Sequence, residues 1–164
     1  METDRGMSNE YRARLADELR AAERAAAAPY ISYPPSPWWY MPVVGAWLAA
    51  FIAVFARWSE GSDVLVGAGL VVLIVLEIVF VRWMYTRHGA MPWPGMGTPP
   101  PEIGRLWRWY FIAALAVVAV VAAVWWQIGV AAASATAFVL VTAGLVWYEK
   151  AYAKASAAVK SRLS

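Results

Sequence analysis

The chain has 164 residues, of which 62% are hydrophobic and only 15% charged, whereas a typical soluble domain is about half apolar and about a quarter charged. This excess of apolar residues is more than a soluble core can bury and indicates an integral membrane protein, and the absence of cysteine excludes disulfides and thiolate chemistry. The net charge of +3 does not indicate a nucleic-acid partner, because the basic residues form short clusters beside apolar segments and aromatic residues, as they do at membrane boundaries.

The N-terminal tail is charged and contains no apolar run of the kind found in a secretory signal, so we expect no cleaved signal peptide. Its stripe of apolar residues is narrow, and its acidic and basic residues nearly balance, so strong binding to anionic lipid is not expected. A solvated helix, a short self-associating coil and a helix that docks on a partner protein through residues 8–28 all stay open. The helical spacing that predicts an amphipathic helix over residues 8–28 is formed by Tyr11, Leu15, Leu19, Ala22 and Ala26.

A proline-rich connector follows the tail. Pro34, Pro35 and Pro37 prevent a continuous helix from the tail into the first apolar run. Residues 1–37 are therefore predicted to be a cytoplasmic charged helix and connector, tethered separately from the membrane domain.

Apolar runs predict an all-α membrane domain over residues 38–149, followed by a basic cytoplasmic tail over residues 150–164. The domain contains four transmembrane helices arranged as two helical hairpins, with spans at about residues 38–57, 64–84, 107–126 and 130–148.

The last two spans come from one apolar run of 40 residues. A single helix of that length would reach about 60 Å, twice the hydrocarbon thickness of about 30 Å, so the run must turn back. The turn is predicted between Trp125 and Gly129, where two aromatic rings suited to the membrane interface precede a glycine that can end a helix.

Thirteen of the 14 lysine and arginine residues lie in the N-terminal tail, in the loop between the second and third spans, or in the C-terminal tail. Basic residues in short loops remain in the cytoplasm. The charges therefore predict a multi-pass protein of the plasma membrane with both termini in the cytoplasm.

Small residues recur at four-residue spacing within the predicted spans, as Gly45, Ala49 and Ala53, as Ala119 and Ala123, and as Ala133 and Ala137. Small residues at this spacing let helices approach closely in lipid. Packing within one chain explains them adequately, and a homo-oligomer stays open.

The sequence contains few residues that could carry out catalysis. The only histidine, His88, has no cysteine or second histidine with which to share a metal. The hydroxyl groups of Ser134, Thr136 and Thr142 have no activating base nearby in the sequence. We therefore predict no catalytic, metal-binding or cofactor-binding residue, and no enzyme activity.

Glu77 is the one carboxylate within a predicted span, where a charge costs about 2–3 kcal/mol at the bilayer centre. It lies five residues before Arg82, which places it in the cytoplasmic leaflet. Arg108 or Arg105, at the start of the third span, lies at a suitable depth to pair with it. These three residues form the candidate site, either as a structural ion pair or hydrogen-bonded carboxylate between the second and third spans, or as a proton- or cation-coupled site.

The stretch Pro37-Trp38-Trp39-Tyr40-Met41-Pro42, which follows a charged N-terminal helix, resembles a group of small actinobacterial membrane proteins. These share the charged helix, the Pro-Trp-Trp-Tyr-x-Pro start of the first span, two helical hairpins and a basic tail. The resemblance implies a four-helix membrane fold and a bacterial source, and it supplies no activity.

Two functional hypotheses follow from the sequence. The first is a non-enzymatic accessory or scaffold subunit of a membrane complex, whose cytoplasmic helix contacts another protein. The alternative is a small oligomeric proton- or cation-coupled transporter that uses Glu77.

Overall fold

The computed structural model describes residues 2–32, 34–57, 63–88 and 97–164, and within these ranges it contains helices and no strand. The helices are α1 (Glu2–Ile31), α2 (Tyr40–Ala56), α3 (Asp63–His88), α4 (Pro101–Gln127) and α5 (Val130–Leu163). The last three are long and apolar enough to cross a membrane. The predicted all-α class is thereby confirmed for these ranges, and three helices have the length and composition that a membrane span requires.

Helix α2 is apolar throughout but has only 17 residues, a length of about 25 Å. It is shorter than the predicted span of residues 38–57, because the chain makes a turn at Trp38 and Trp39, in which the Tyr40 N–H donates a 3.0 Å hydrogen bond to the Pro37 carbonyl. At its other end, α2 stops at Ala56, and residues 58–62 lie outside the described ranges.

The two predicted breaks in helical structure are present. Residues 34–37 have no helical structure, as expected where prolines remove backbone donors. Gly129 separates α4 from α5 with a φ of 118°, a conformation that only glycine adopts readily. The N–H groups of Ile128 and Gly129 both donate to the Val124 carbonyl, which closes the last turn of α4.

Helix α5 is the central element. It packs most extensively against α2 and α4, and more lightly against α1. Among the described helices, α3 packs mainly on α2, and this contact is also light. The hairpins α2–α3 and α4–α5 are thus joined through the α2–α5 contact. A side chain at Gly45 would meet the Thr142 hydroxyl and would lie 3.0 Å from the Phe138 carbonyl oxygen.

The small residues predicted as packing positions differ in burial, and Ala49 is half-buried. Gly45, Ala133 and Ala137 are buried, and they lie on the two helices that pack most closely, α2 and α5. Ala53, Ala119 and Ala123 are exposed, so nothing in the described chain packs closely on them.

The predicted span of residues 130–148 and the predicted tail of residues 150–164 form one continuous helix, α5. The polar C-terminal part of α5 therefore projects beyond the apolar part as a rigid extension. Most of the proline-rich loop before α4, residues 89–96, lies outside the described ranges.

Candidate functional site

One end of the molecule, called the basic end below, collects the connector, the start of α2, the end of α3, the start of α4 and the extension of α5. The rings of Trp39 and Trp83 lie 5.1 Å apart and place the end of α3 beside the start of α2. Ser36 is hydrogen-bonded to Glu149 of α5. These contacts bring the arginine and lysine residues of separate helices to the same end.

The end of α1 is buried in a small aromatic cluster at the basic end, called the junction below and formed by Tyr30, Ile103, Trp107, Tyr148 and Tyr152. The rings of Tyr30 and Trp107 lie 6.0 Å apart. The Trp107 Nε1–H donates a 3.1 Å hydrogen bond to the Tyr148 hydroxyl oxygen. Three helices, α1, α4 and α5, therefore share one core there.

Hydrogen bonds from α5 fix the last residues of α1. The Tyr152 hydroxyl donates to the Tyr30 carbonyl oxygen over 2.7 Å, and the buried Ser156 hydroxyl donates to the Ile31 carbonyl oxygen over 3.5 Å. The last carbonyl groups of a helix have no partner within it. The extension of α5 thus supplies partners that the end of α1 needs.

Arg162 connects three helices near the C-terminus. Its Nε donates to Glu102 of α4 over 3.1 Å, and a terminal nitrogen donates to Glu23 of α1 over 3.2 Å. Because these ion pairs are solvent-exposed, they contribute little to stability. Their effect is to orient α1 relative to α4 and α5.

The connector is held separately by Glu149. Its carboxylate accepts a 2.8 Å hydrogen bond from the Ser36 N–H and a 3.3 Å bond from the Ser36 hydroxyl. Hydrogen bonds to a charged acceptor are stronger than neutral ones. Glu149 thereby fixes the path of the chain between α1 and α2.

These contacts correct the expectation of a separately tethered tail, because α1 packs on the membrane domain through Ala27 and Tyr30. The sequence did contain a signal for this. Beyond the predicted last span, Tyr152, Ala155 and Val159 continue an apolar stripe at helical spacing. The prediction of a basic tail over residues 150–164 does not include this stripe, part of which packs against the end of α1.

The rest of α1 presents an open apolar stripe, made of Tyr11, Leu15 and Leu19, with exposed fractions of 68%, 45% and 64%. Residues four apart lie on one face of a helix. The helix is therefore fixed at one end, while its predicted apolar stripe is not covered by any described part of the chain.

Glu77, the predicted intramembrane site, lines a cavity of about 760 Å³ between α2 and α3, called the α2–α3 groove below. The groove is otherwise lined by apolar and aromatic residues, and Glu77 is the one charged residue among those that line it. The side chain of Glu77 is exposed, and it makes no hydrogen bond or ion pair with the described residues.

Arg105 and Arg108 lie exposed near the start of α4, and the structure does not bring either to Glu77. The reason is the helix arrangement: α3 packs on α2 and not substantially on α4. The expected ion pair is therefore not formed within the described chain. The structural role and the proton-carrying role of Glu77 both stay predictions.

No group of three or more histidine, aspartate and glutamate side chains in the described ranges could hold a metal ion. Compared with known proteins, the chain matches no family, no curated protein and no solved structure. The resemblance of residues 37–42 to small actinobacterial membrane proteins stays a prediction.

Proposed function

We propose that this protein is a non-enzymatic accessory or scaffold subunit of a plasma-membrane complex, which holds helix α1 rigidly in the cytoplasm for a partner protein. The observation that supports the proposal is a difference in burial between the end of α1 and the preceding part of the helix. Its end is buried and hydrogen-bonded at the junction, while Tyr11, Leu15 and Leu19 expose an apolar stripe.

The expected occupant of this stripe is an amphipathic helix of a partner protein. Two such helices bury their apolar stripes against each other. A flexible tail would lose conformational entropy when it bound, and anchoring lowers that cost because the helix is already oriented. The contacts of Tyr152 and Ser156 with the end of α1 supply this anchoring.

The membrane part of the proposal has four spans, α2 to α5, with both termini in the cytoplasm. Helix α2 is at the lower limit of spanning length, since transmembrane helices range from about 17 to 25 residues. The orientation is supported by the collection of basic residues at one end of the helices. Basic residues near spans remain on the cytoplasmic side.

A photo-crosslinking amino acid placed at Leu15 tests the proposal, with Ala13 on the opposite face as the matched control. In intact cells, Leu15 should give one dominant adduct with another protein, and Ala13 should give much less. An adduct with a second copy of this chain would indicate a self-associating coil. Equal labelling from Leu15 and Ala13 would overturn the proposal. So would the absence of any protein adduct when the amino acid is placed in turn at Tyr11, Leu15 and Leu19.

A second candidate function is a small oligomeric proton- or cation-coupled transporter, favoured by the position of Glu77 in the α2–α3 groove. In that case, Glu77→Gln abolishes pH-driven ion flux in reconstituted vesicles, and Glu18→Gln on α1 does not. The accessory role instead predicts no such flux in the unmodified protein, so the vesicle measurement separates the two candidates.

A further inference from the structure

Helices α3 and α4 are the two edges of the membrane domain, since α3 packs mainly on α2 and α4 packs mainly on α5. The apolar window of α4 contains no buried residue. On the outward parts of the two edges, Ile74 of α3 is 49% exposed and Ile112 of α4 is 56% exposed. Lipid can cover apolar side chains of this kind, so their exposure alone indicates no partner.

The charge on each edge is the more informative feature. Glu77 lies in an apolar groove without a partner among the described residues, and a carboxylate in that environment normally pairs with another group. Arg82, five residues further along the same helix, is about 140° around it and is poorly placed. Neither Arg82 nor Arg87 of α3 therefore pairs with Glu77.

The α4 edge carries an unpaired cation. Tyr110 contacts Tyr148 of α5 with ring centres 4.8 Å apart, and Arg108, two residues earlier, therefore points away from α5. Arg108 forms no ion pair with the described residues. Arg105 differs, because it is close enough to Glu102 for an electrostatic interaction. Arg108 is thus the better partner for a carboxylate outside its own chain.

We propose that the α4 edge of a second copy occupies the α2–α3 groove, with Arg108 of that copy paired with Glu77. This pair is not formed within one copy, whose α3 packs mainly on α2 and whose α4 packs mainly on α5. Both charges lie toward the basic end, so copies with the same orientation in the membrane present them at similar depth. The interface joins two different surfaces, which generates a ring or a row of copies.

Cysteine crosslinking tests this interface directly, because the chain has no cysteine of its own. Ile74 lies three residues before Glu77, and Ile112 lies four residues after Arg108, so each shares the face of its charged residue, and the two lie at comparable depth. Two differently tagged variants, Ile74→Cys and Ile112→Cys, are co-expressed, and their membranes are oxidised with copper phenanthroline.

A disulfide between the two tagged variants is the expected result, with little product from either variant expressed alone. A product from Ile74→Cys alone would overturn the proposal in favour of a symmetric α3–α3 pair. The absence of any product, with both variants present in the membrane, would also overturn it and leave the groove to lipid or to a different protein.

Charge reversal then tests the pairing of Glu77 with Arg108. In the two-cysteine experiment, Glu77→Arg or Arg108→Glu should each lower the yield of disulfide about tenfold or more, since loss of one partner leaves a buried charge uncompensated. Combining both reversals should restore it. Arg105→Glu serves as the control and should change the yield little. Equal losses for Arg105→Glu and Arg108→Glu, or no restoration, would contradict the assignment. None of these outcomes depends on whether α1 binds a partner.

Discussion

The hydroxyl group of Tyr152 donates a 2.7 Å hydrogen bond to the backbone carbonyl of Tyr30, 122 residues earlier in the chain. The bond joins the first helix to the last and satisfies a carbonyl group at the end of α1 that has no helical partner. Together with the packing of Tyr30 on Trp107, it determines the direction in which α1 leaves the membrane domain.

Tyr152→Phe should loosen α1 without unfolding the membrane helices. The substitution removes one hydrogen bond, worth about 1 kcal/mol, and keeps the ring that packs in the junction. Amide hydrogen exchange should rise in residues 27–32 and stay unchanged in α4. Tyr11→Phe, which alters only an exposed hydroxyl, is the control. Unchanged exchange at the end of α1 would show that the bond does not hold the helix.

Glu149 should control the mobility of the connector. Glu149→Ala removes both acceptors used by Ser36, with an expected cost of about 1–3 kcal/mol, whereas Glu149→Gln retains one acceptor and should cost less. The measurement is the exchange rate of the Ser36 amide, which should rise about tenfold or more in Glu149→Ala. The same protection in all three proteins would contradict this role.

Gly45→Ala should destabilise the α2–α5 contact. The added methyl group would meet the Thr142 hydroxyl and the Phe138 carbonyl, and overpacking of this kind costs about 1–3 kcal/mol. Gly144→Ala in α5 is the matched control, because a side chain there meets nothing within 4 Å, and it should be neutral or stabilising by up to about 1 kcal/mol. Thermal unfolding in detergent compares the two. A loss in Gly144→Ala as large as that in Gly45→Ala would disprove the close approach.

Reporter fusions check the four proposed spans and their orientation. Fusions after Arg57 and after Ile128 should be active outside the cell, and fusions after Thr98 and after Ser164 should be active in the cytoplasm. The fusion after Arg57 is the most informative, because α2 has only 17 residues. If the reporter fused after Arg57 is active in the cytoplasm, α2 does not cross the membrane.

Much of the fold could be predicted from the sequence, because apolar runs of bilayer length, prolines and Gly129 act locally. The elements α3, α4 and α5 and the break before Val130 follow from these signals. The docking of α1 could not be predicted in the same way, since it depends on α5 continuing as a helix beyond Glu149. The separation of Glu77 from Arg108 could not be predicted either. Hydropathy indicates which segments are helices, but it does not indicate which helices become neighbours.

The claim that α1 is rigidly anchored on the membrane domain is tested most directly by a distance measurement between the two. Spin labels on cysteines introduced at the exposed positions Ala21 of α1 and Ala157 of α5 are unique, since the natural chain contains no cysteine. Pulsed electron resonance of the labelled protein in lipid nanodiscs should give one narrow distance distribution, which broadens when Tyr152→Phe is added. A broad distribution in the protein with Tyr152 intact would contradict the account and make α1 a separately tethered tail.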